Sequence, residues 1–310
     1  MTILFASPDW RKFSKPFEIA FKETGINYAD ITIDLKTDKN EVEFIIYSPN
    51  SDLKDFSEFN NLRAVLNLWA GVEEIVNNTT LKKPLVRLVD DGLTQGMREW
   101  CMAHVLRHHL SVDKHIMQQD GLWRSDFCPP LAFERCIGIL GLGELGSQVA
   151  KSLAHIGFKT IGWSQTEKEL LNVRCYTGRR GLEKVLKKSE ILVLLLPLTP
   201  TTKFIISSNT LSLLPKGAIL INPGRGLLIN DNDLINSLNN EHISHATLDV
   251  FENEPLPAKH PYWLHPKVTV TPHIAATTRH NSTSRTIAKS IIQIRNNQKP
   301  KGLVDPTKLY

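Results

Sequence analysis

Short apolar runs alternate along this chain with stretches whose apolar positions recur every three or four residues. The first pattern predicts buried strands and the second predicts helices. Strands are expected at residues 3–5, 43–47, 64–68 and 85–89. They are expected again at 137–140, 159–163, 190–196, 218–222, 246–250 and 268–270. A first helix is expected at 17–24, closed by Gly25. A long one starts at about Gly96, runs through Met97, Trp100, Cys101, His104 and Val105, and continues toward Met117. Others fall at 145–156, 182–188, 210–214, 231–238 and 282–295, with Asn230 or Asp231 as the N-cap of the 231–238 helix. Strands spaced by helices imply parallel α/β sheets. The run EILVLLL at 190–196 is apolar on both faces, as in a strand covered by helices on both sides.

The expected fold class is therefore α/β. A doubly wound parallel sheet (Rossmann) domain is placed at residues 97–281. A smaller, discontinuous flavodoxin-like α/β domain is placed at residues 1–96 and 282–310, because the last helix leaves the larger sheet to pack on the first domain. A length of 310 residues suits two domains, and an apolar share of 41% supports two cores.

Charge and cysteines narrow the functional class. The net charge of +5 is spread out, with no basic arm or basic helix, so no nucleic-acid partner is expected. Cys101, Cys128, Cys136 and Cys175 form no C-x-x-C pair and read as reduced thiols in a cytoplasmic protein. The N-terminus carries no signal-peptide pattern, and no run is long enough to span a membrane. The pair Asp90-Asp91 reads as a turn. His108 and His109 lack a partner at metal-ligand spacing, and His242, His245 and His260 read as surface residues, so no metal is expected.

The most specific feature is CIGILGLGELG at 136–146. An apolar run leads into Gly141, Gly143 and Gly146, spaced G-x-G-x-x-G, and a helical pattern follows. This context is a dinucleotide-binding signature. The first glycine makes the tight turn, the second admits the pyrophosphate, and the third lets helix and strand pack. About 20 residues on, NAD-binding sites place an acid on the ribose hydroxyls. Here Ser164 stands at the strand tip, followed by Gln165, Thr166, Glu167 and Lys168. With no acid there to repel a 2′-phosphate, NADP is favoured over NAD. NAD stays possible, because no arginine supplies a phosphate clamp.

Ligands in such sheets bind beyond the carboxyl ends of the strands. Three polar clusters are expected there: 222–226 (NPGRG), 249–255 (DVFENEP) and 271–276 (TPHIAA). They bring an arginine, a carboxylate and a histidine. An arginine fork can grip a carboxylate or keto oxygen, and a histidine can give or take a proton. A carboxylate beside the ring can orient it.

The order GLGELG, LPLTPTT (196–202), INPGRG, LDVFENEP and TPHIAA resembles the D-isomer-specific 2-hydroxyacid dehydrogenases. That resemblance implies a catalytic trio of Arg225, Glu254 and His273, with Glu254 immediately before Pro255 and Glu252 as the nearby decoy. It implies cofactor contacts at Gly141, Gly143, Glu144, Leu145, Gly146, Ser164, Gln165, Lys168, Leu196, Pro197, Asn222, Asp249 and Ala275. The substrate would meet Ala70, Gly71, Val72, Arg225 and His273. Tyr47 would wall the pocket or pack in the first domain, and Met97 would face the nicotinamide or fill the helix core. The implied activity is reduction of a small 2-oxo acid, such as glyoxylate or hydroxypyruvate, by NADPH in an interdomain cleft, within a homodimer. The alternatives are a family dehydrogenase using NADH on another substrate, and a non-catalytic nucleotide-sensing regulator on the same fold.

Overall fold

The structure is a computed structural model that describes residues 2–305 and 307. It divides into two compact units. One is formed up to Leu93 together with the chain from Thr278 onward, and the other spans Thr94–Thr277.

The first unit is a parallel sheet of five strands: β1 (Thr2–Ala6), β2 (Ile31–Thr32), β3 (Val42–Tyr47), β4 (Ala64–Asn67) and β5 (Leu85–Val86), in the order β2-β1-β3-β4-β5. Helix α1 (Trp10–Thr24) buries Phe13, Phe17, Ala20 and Phe21, the stripe that a period of 3.6 sets against the sheet. Gly25 closes it at φ 72° and returns its N–H to the Phe21 carbonyl. The last helix, α8 (His280–Arg295), buries Ile287, Ala288 and Ile291 and packs against α1. Exposed Arg285 and Glu23 pair across these two helices at 2.8 Å, a contact worth little beyond register.

Helix α2 (Asp91–His109) starts five residues before the expected Gly96. The cause is Asp90, which is buried and caps the helix by accepting the Leu93 N–H at 2.7 Å. The same carboxylate accepts the Ser282 hydroxyl at 2.6 Å and the Thr283 hydroxyl at 3.2 Å. Asp90-Asp91 is thus a helix cap and first helical residue rather than a plain turn. Nor does one helix continue to Met117. Ser111 turns left-handed at φ 53°, and a short helix, α3 (Val112–Met117), restarts after it.

The second unit is a parallel sheet of seven strands: β6 (Cys136–Leu140), β7 (Lys159–Trp163), β8 (Val173–Tyr176), β9 (Ile191–Leu194), β10 (Ala218–Asn222), β11 (Ile243–Leu248) and β12 (Val268–Val270). Their order is β12-β11-β10-β9-β6-β7-β8. The chain winds outward from β6 through β7 to β8, then returns to β9 on the other side. The switch point therefore lies between β6 and β9, where ligands bind in doubly wound sheets. Helices α4 (Glu144–Ile156), α5 (Gly178–Lys188), α6 (Ser208–Leu211) and α7 (Asp231–Asn239) make the connections. Asn230 caps α7, its side chain accepting the Asp233 N–H at 3.1 Å. Strands β6 and β9 are buried almost throughout, which is why they read as continuous apolar runs. No helix among the described residues is long and apolar enough to cross a membrane.

Candidate active site

The glycine turn after β6 is shaped by two steric limits and one opening. Gly141 sits at φ 103°, where a side chain would meet the Leu195 carbonyl beyond β9. A Cβ on Gly146 would land on the Gly141 carbonyl. A Cβ on Gly143 would meet no protein atom within 4 Å. The turn is thus packed against protein at two positions and open at the third. Gly143 is exposed at the N-cap of α4, with Glu144 and Leu145 opening the helix. Open backbone beside the free N–H groups of a helix N-terminus fits a pyrophosphate.

Ser164 follows β7 and is buried. Its hydroxyl donates to the Thr166 carbonyl at 2.6 Å, and its amide donates to the Tyr176 carbonyl at 3.1 Å. Gln165 and Lys168 are exposed beyond it, and Gln165 Nε2 donates to Thr201 Oγ1 at 3.2 Å. Leu196 is buried and Pro197 half-buried at the start of the loop after β9.

The chemical groups come from the ends of β10, β11 and β12. Asn222, buried at the end of β10, bonds at both ends of its amide. It donates to the Arg225 carbonyl at 2.9 Å and accepts the Gly224 N–H at 3.1 Å, which sets the turn that carries Arg225. Gly226 then presses on the chain after β11, and a Cβ there would land on the Phe251 backbone. That approach brings the Arg225 turn beside the segment holding Glu254.

Glu254 Oε1 accepts the Phe251 N–H at 2.9 Å, and Oε2 lies 2.6 Å from His273 Nδ1. Burial pushes the Glu254 carboxyl up. The His273 hydrogen bond, the Phe251 N–H and the charges of His273 and Arg225 outweigh it and hold the carboxyl below its ordinary range. An ionised carboxylate only accepts, so Nδ1 carries the proton facing it and Nε2 is the nitrogen left for a substrate. The His273 side chain is 53% exposed, so a small molecule can reach it.

His273 holds a left-handed backbone, φ 54°, which costs a β-carbon residue free energy. Asp249 offsets that cost. Fully buried at the end of β11, it accepts the Thr271 hydroxyl at 2.5 Å and the Ile274 N–H at 2.9 Å on one oxygen. Its other oxygen accepts the Ala275 N–H at 2.8 Å. Its carbonyl accepts the His273 N–H at 2.8 Å. The loop that carries His273 is therefore wrapped around one buried carboxylate.

In the other unit, Tyr47 is buried in the core and meets Phe56 edge-on at 5.5 Å between ring centroids. Ala70 and Gly71 are half-buried and Val72 is buried. Asn67, buried at the end of β4, shapes this turn by donating to the Trp69 carbonyl at 2.9 Å and the Gly71 carbonyl at 2.7 Å. The sequence reading missed it, although a polar residue closing an apolar strand is the available signal. Met97 is buried in the core of the second unit against Cys101.

Three histidines depart from the surface positions expected of them. His242, His245 and His260 are half-buried and hydrogen-bonded, to Leu211, Thr269 and the Asp231 carboxylate respectively. His245 also faces His108 from α2, with ring centroids 4.8 Å apart, and His108 Nε2 lies 2.8 Å from Thr247 Oγ1. Burial first, then neighbouring positive groups, push His108 down to about 3 and His245 down to about 4.

A parallel doubly wound sheet, an open glycine turn at its switch point, and a carboxylate–histidine pair with an arginine at adjacent strand ends define a dinucleotide-dependent oxidoreductase. Residues 100–275 match the family model "D-isomer specific 2-hydroxyacid dehydrogenase, NAD binding domain", and the chain belongs to that family. It is similar to glyoxylate/hydroxypyruvate reductase A of Yersinia enterocolitica, 38% identical over 80% of this chain and 82% of the relative. The reductase A of Serratia proteamaculans is likewise 38% identical, over 79% of this chain and 80% of the relative. Among solved structures, a D-isomer specific 2-hydroxyacid dehydrogenase from Xanthobacter autotrophicus, in complex with NADPH and MES, superposes with a TM-score of 0.90 at 34% identity. It covers 100% of this chain and 99% of that one. An NADPH-dependent glyoxylate/hydroxypyruvate reductase from Sinorhizobium meliloti, in complex with NADP and sulfate, superposes with a TM-score of 0.86 at 30% identity, covering 100% of both chains.

Proposed function

We propose that this enzyme reduces a small 2-oxo acid, glyoxylate or hydroxypyruvate, to the 2-hydroxy acid with NADPH. The observation that carries the reading is the Glu254–His273 pair, 2.6 Å apart, with the charge of Arg225 acting on it at neighbouring strand ends. The names of the reductase relatives and the NADP-bound neighbours support the substrate and the cofactor.

When bound, the reduced dinucleotide supplies the hydride. The turn from Gly141 through Gly143 to Gly146, with Glu144 and Leu145, would hold its pyrophosphate. Gln165 and Lys168 would hold the adenosine end beside the bend that Ser164 sets, and Leu196, Pro197, Asn222, Asp249 and Ala275 would complete the contacts. Arg225 grips the substrate by its carboxylate or keto oxygen through paired N–H donors. His273 gives its Nε2 proton to the oxygen that becomes the hydroxyl, while Glu254 keeps Nδ1 in place. Arg225 and His273 act on negative charge that grows in the transition state, where stabilisation raises the rate. On the substrate side the proposal includes the Ala70-Gly71-Val72 turn and Tyr47.

The active form is proposed to be a cytoplasmic homodimer. Residues 110–133 expose seven large apolar side chains, Leu110, Ile116, Met117, Leu122, Trp123, Leu131 and Phe133, and a partner that covers them would take apolar surface out of water. Light scattering should return twice the chain mass, and a monomer would refute the dimer.

The reaction is tested by product analysis. Incubation with NADPH and hydroxypyruvate should yield D-glycerate by chiral chromatography. Recovery of both hydroxypyruvate and, in a parallel incubation, glyoxylate unchanged, or formation of L-glycerate, would refute the reading.

A further inference from the structure

We propose that Thr201, on the loop after β9, is a specificity-determining residue that reads the 2′-phosphate of NADP together with Gln165. The proposal rests on the NADPH reading above. Strand β6 lies between β7 and β9 in the sheet, so the loops after β7 and β9 flank the glycine turn on its two sides. The Gln165 amide reaches over this gap and donates to Thr201 Oγ1 at 3.2 Å. The bridge spans two strand spacings, roughly 9–10 Å.

Thr201 stands on a fixed loop. Its Oγ1 lies 3.1 Å from Thr199 Oγ1. The Thr199 N–H donates to Thr202 Oγ1 at 2.8 Å, and the buried Thr202 hydroxyl donates to the Pro197 carbonyl at 2.7 Å. Thr201 itself is exposed, so its hydroxyl is open to a ligand and its replacement disturbs no core.

Phosphate oxygens only accept, so a 2′-phosphate site must supply donors. Ser164 stands at the strand tip where the adenosine ribose hydroxyls fall. Its hydroxyl proton is already committed to the Thr166 carbonyl, so Ser164 sets the bend instead of donating to a ligand. The donors that converge at this edge are the Gln165 amide and the hydroxyls of Thr199 and Thr201. Lys168 adds an exposed cation nearby in sequence, and exposed Glu167 is the one carboxylate in residues 164–168. Neutral donors held at a fixed spacing replace a charged fork, and they bind a phosphate less tightly than an arginine pair does.

Calorimetric titration of the whole chain with adenosine 2′,5′-bisphosphate and with 5′-AMP tests the assignment without turnover. The wild type should bind the bisphosphate more tightly. Thr201→Val should weaken the bisphosphate about 3- to 10-fold, and Thr201→Glu about 30-fold or more, with 5′-AMP within about twofold of wild type. Gln165→Ala should match Thr201→Val. Equal weakening of both ligands, or an unchanged bisphosphate affinity in Thr201→Glu, would overturn the role of Thr201. If the wild type itself binds the two ligands alike, the NADPH reading fails with it. A discriminating wild type with an indifferent Thr201→Glu would sink the Thr201 assignment alone.

Discussion

His273 Nδ1 lies 2.6 Å from Glu254 Oε2, and the other Glu254 oxygen is tied to the Phe251 N–H at 2.9 Å. Both carboxylate oxygens are thus committed, one to the ring and one to the backbone. The imidazole is held by a group that is itself held, and only Nε2 remains for chemistry. His273→Gln should therefore lose about 10²- to 10⁴-fold in kcat, the usual worth of a positioned proton donor. Dinucleotide affinity, read by fluorescence titration, should stay within about twofold of wild type, because the glycine turn is untouched. Wild-type turnover in this variant would refute the proton-donor role.

Glu254 gives the site its acid limb. Its carboxyl titrates below its ordinary value of 4.5 in the folded protein. A lowered carboxylate pKa means that the clamp is complete above the ordinary value and is lost as pH falls through the lower, folded value. The wild type should thus keep its kcat from neutrality down to about pH 5 as far as this group decides it. Glu254→Gln should lower kcat about tenfold or more at neutral pH, since an amide orients the ring without its charge, and the deficit should shrink as the wild-type carboxylate protonates at low pH. A variant with wild-type kcat at pH 7 would contradict the clamp.

Arg225 is tested by its charge and its shape separately. Arg225→Lys keeps the charge and loses the fork, so KM for the 2-oxo acid should rise about tenfold, and kcat should fall with it. Arg225→Ala should do more of both. An unchanged KM in either variant would remove the carboxylate grip from the proposal.

The glycine turn separates folding from binding. Gly146→Ala puts a methyl group on the Gly141 carbonyl and should destabilise the protein by about 1–3 kcal/mol, visible in denaturant melts. Gly143→Val meets no protein atom near its Cβ, so the midpoint should hold while dinucleotide affinity falls about tenfold or more. Unchanged cofactor affinity in Gly143→Val would mean that the pyrophosphate lies elsewhere.

His108 and His245 make the fold acid-sensitive. Both are held neutral, at about 3 and about 4, against an ordinary value of 6.5. Below pH 6.5 the unfolded chain takes up protons that the folded rings refuse. Stability is therefore full above that value and falls progressively toward pH 4. By pH 4.5 each ring costs roughly 2–3 kcal/mol of stability. The His108→Gln, His245→Gln double variant should show a smaller drop in Tm between pH 7 and pH 4.5 than the wild type, measured by circular dichroism. An equal drop would show that other groups drive the acid limb.

The strands were legible where burial on both faces leaves a continuous apolar run. Residues 218–222 read correctly at both ends for that reason, and 268–270 read correctly from its β-branched run although that edge strand is only half-buried. Strands β2 and β8 were not, because each is a short edge strand, and the β8 sequence VRCY carries no run. The cap at Asp90 was hidden because its partners, Ser282 and Thr283, lie nearly two hundred positions away in sequence. Motif order pointed to Arg225, Glu254 and His273. The roles of Asp249 and Asn222 in bending the loops around them are tertiary facts, since each depends on which backbone N–H groups a single buried side chain collects.

The most direct measurement follows the loss of reduced nicotinamide absorbance, with NADPH and NADH in parallel, against glyoxylate, hydroxypyruvate, pyruvate and a bulky 2-oxo acid. Rapid loss with NADPH on glyoxylate and hydroxypyruvate, and slower loss with NADH or with the bulky acid, is the expected result. Dinucleotide binding without turnover of any of the four would contradict the assignment of this site to 2-oxo acid reduction.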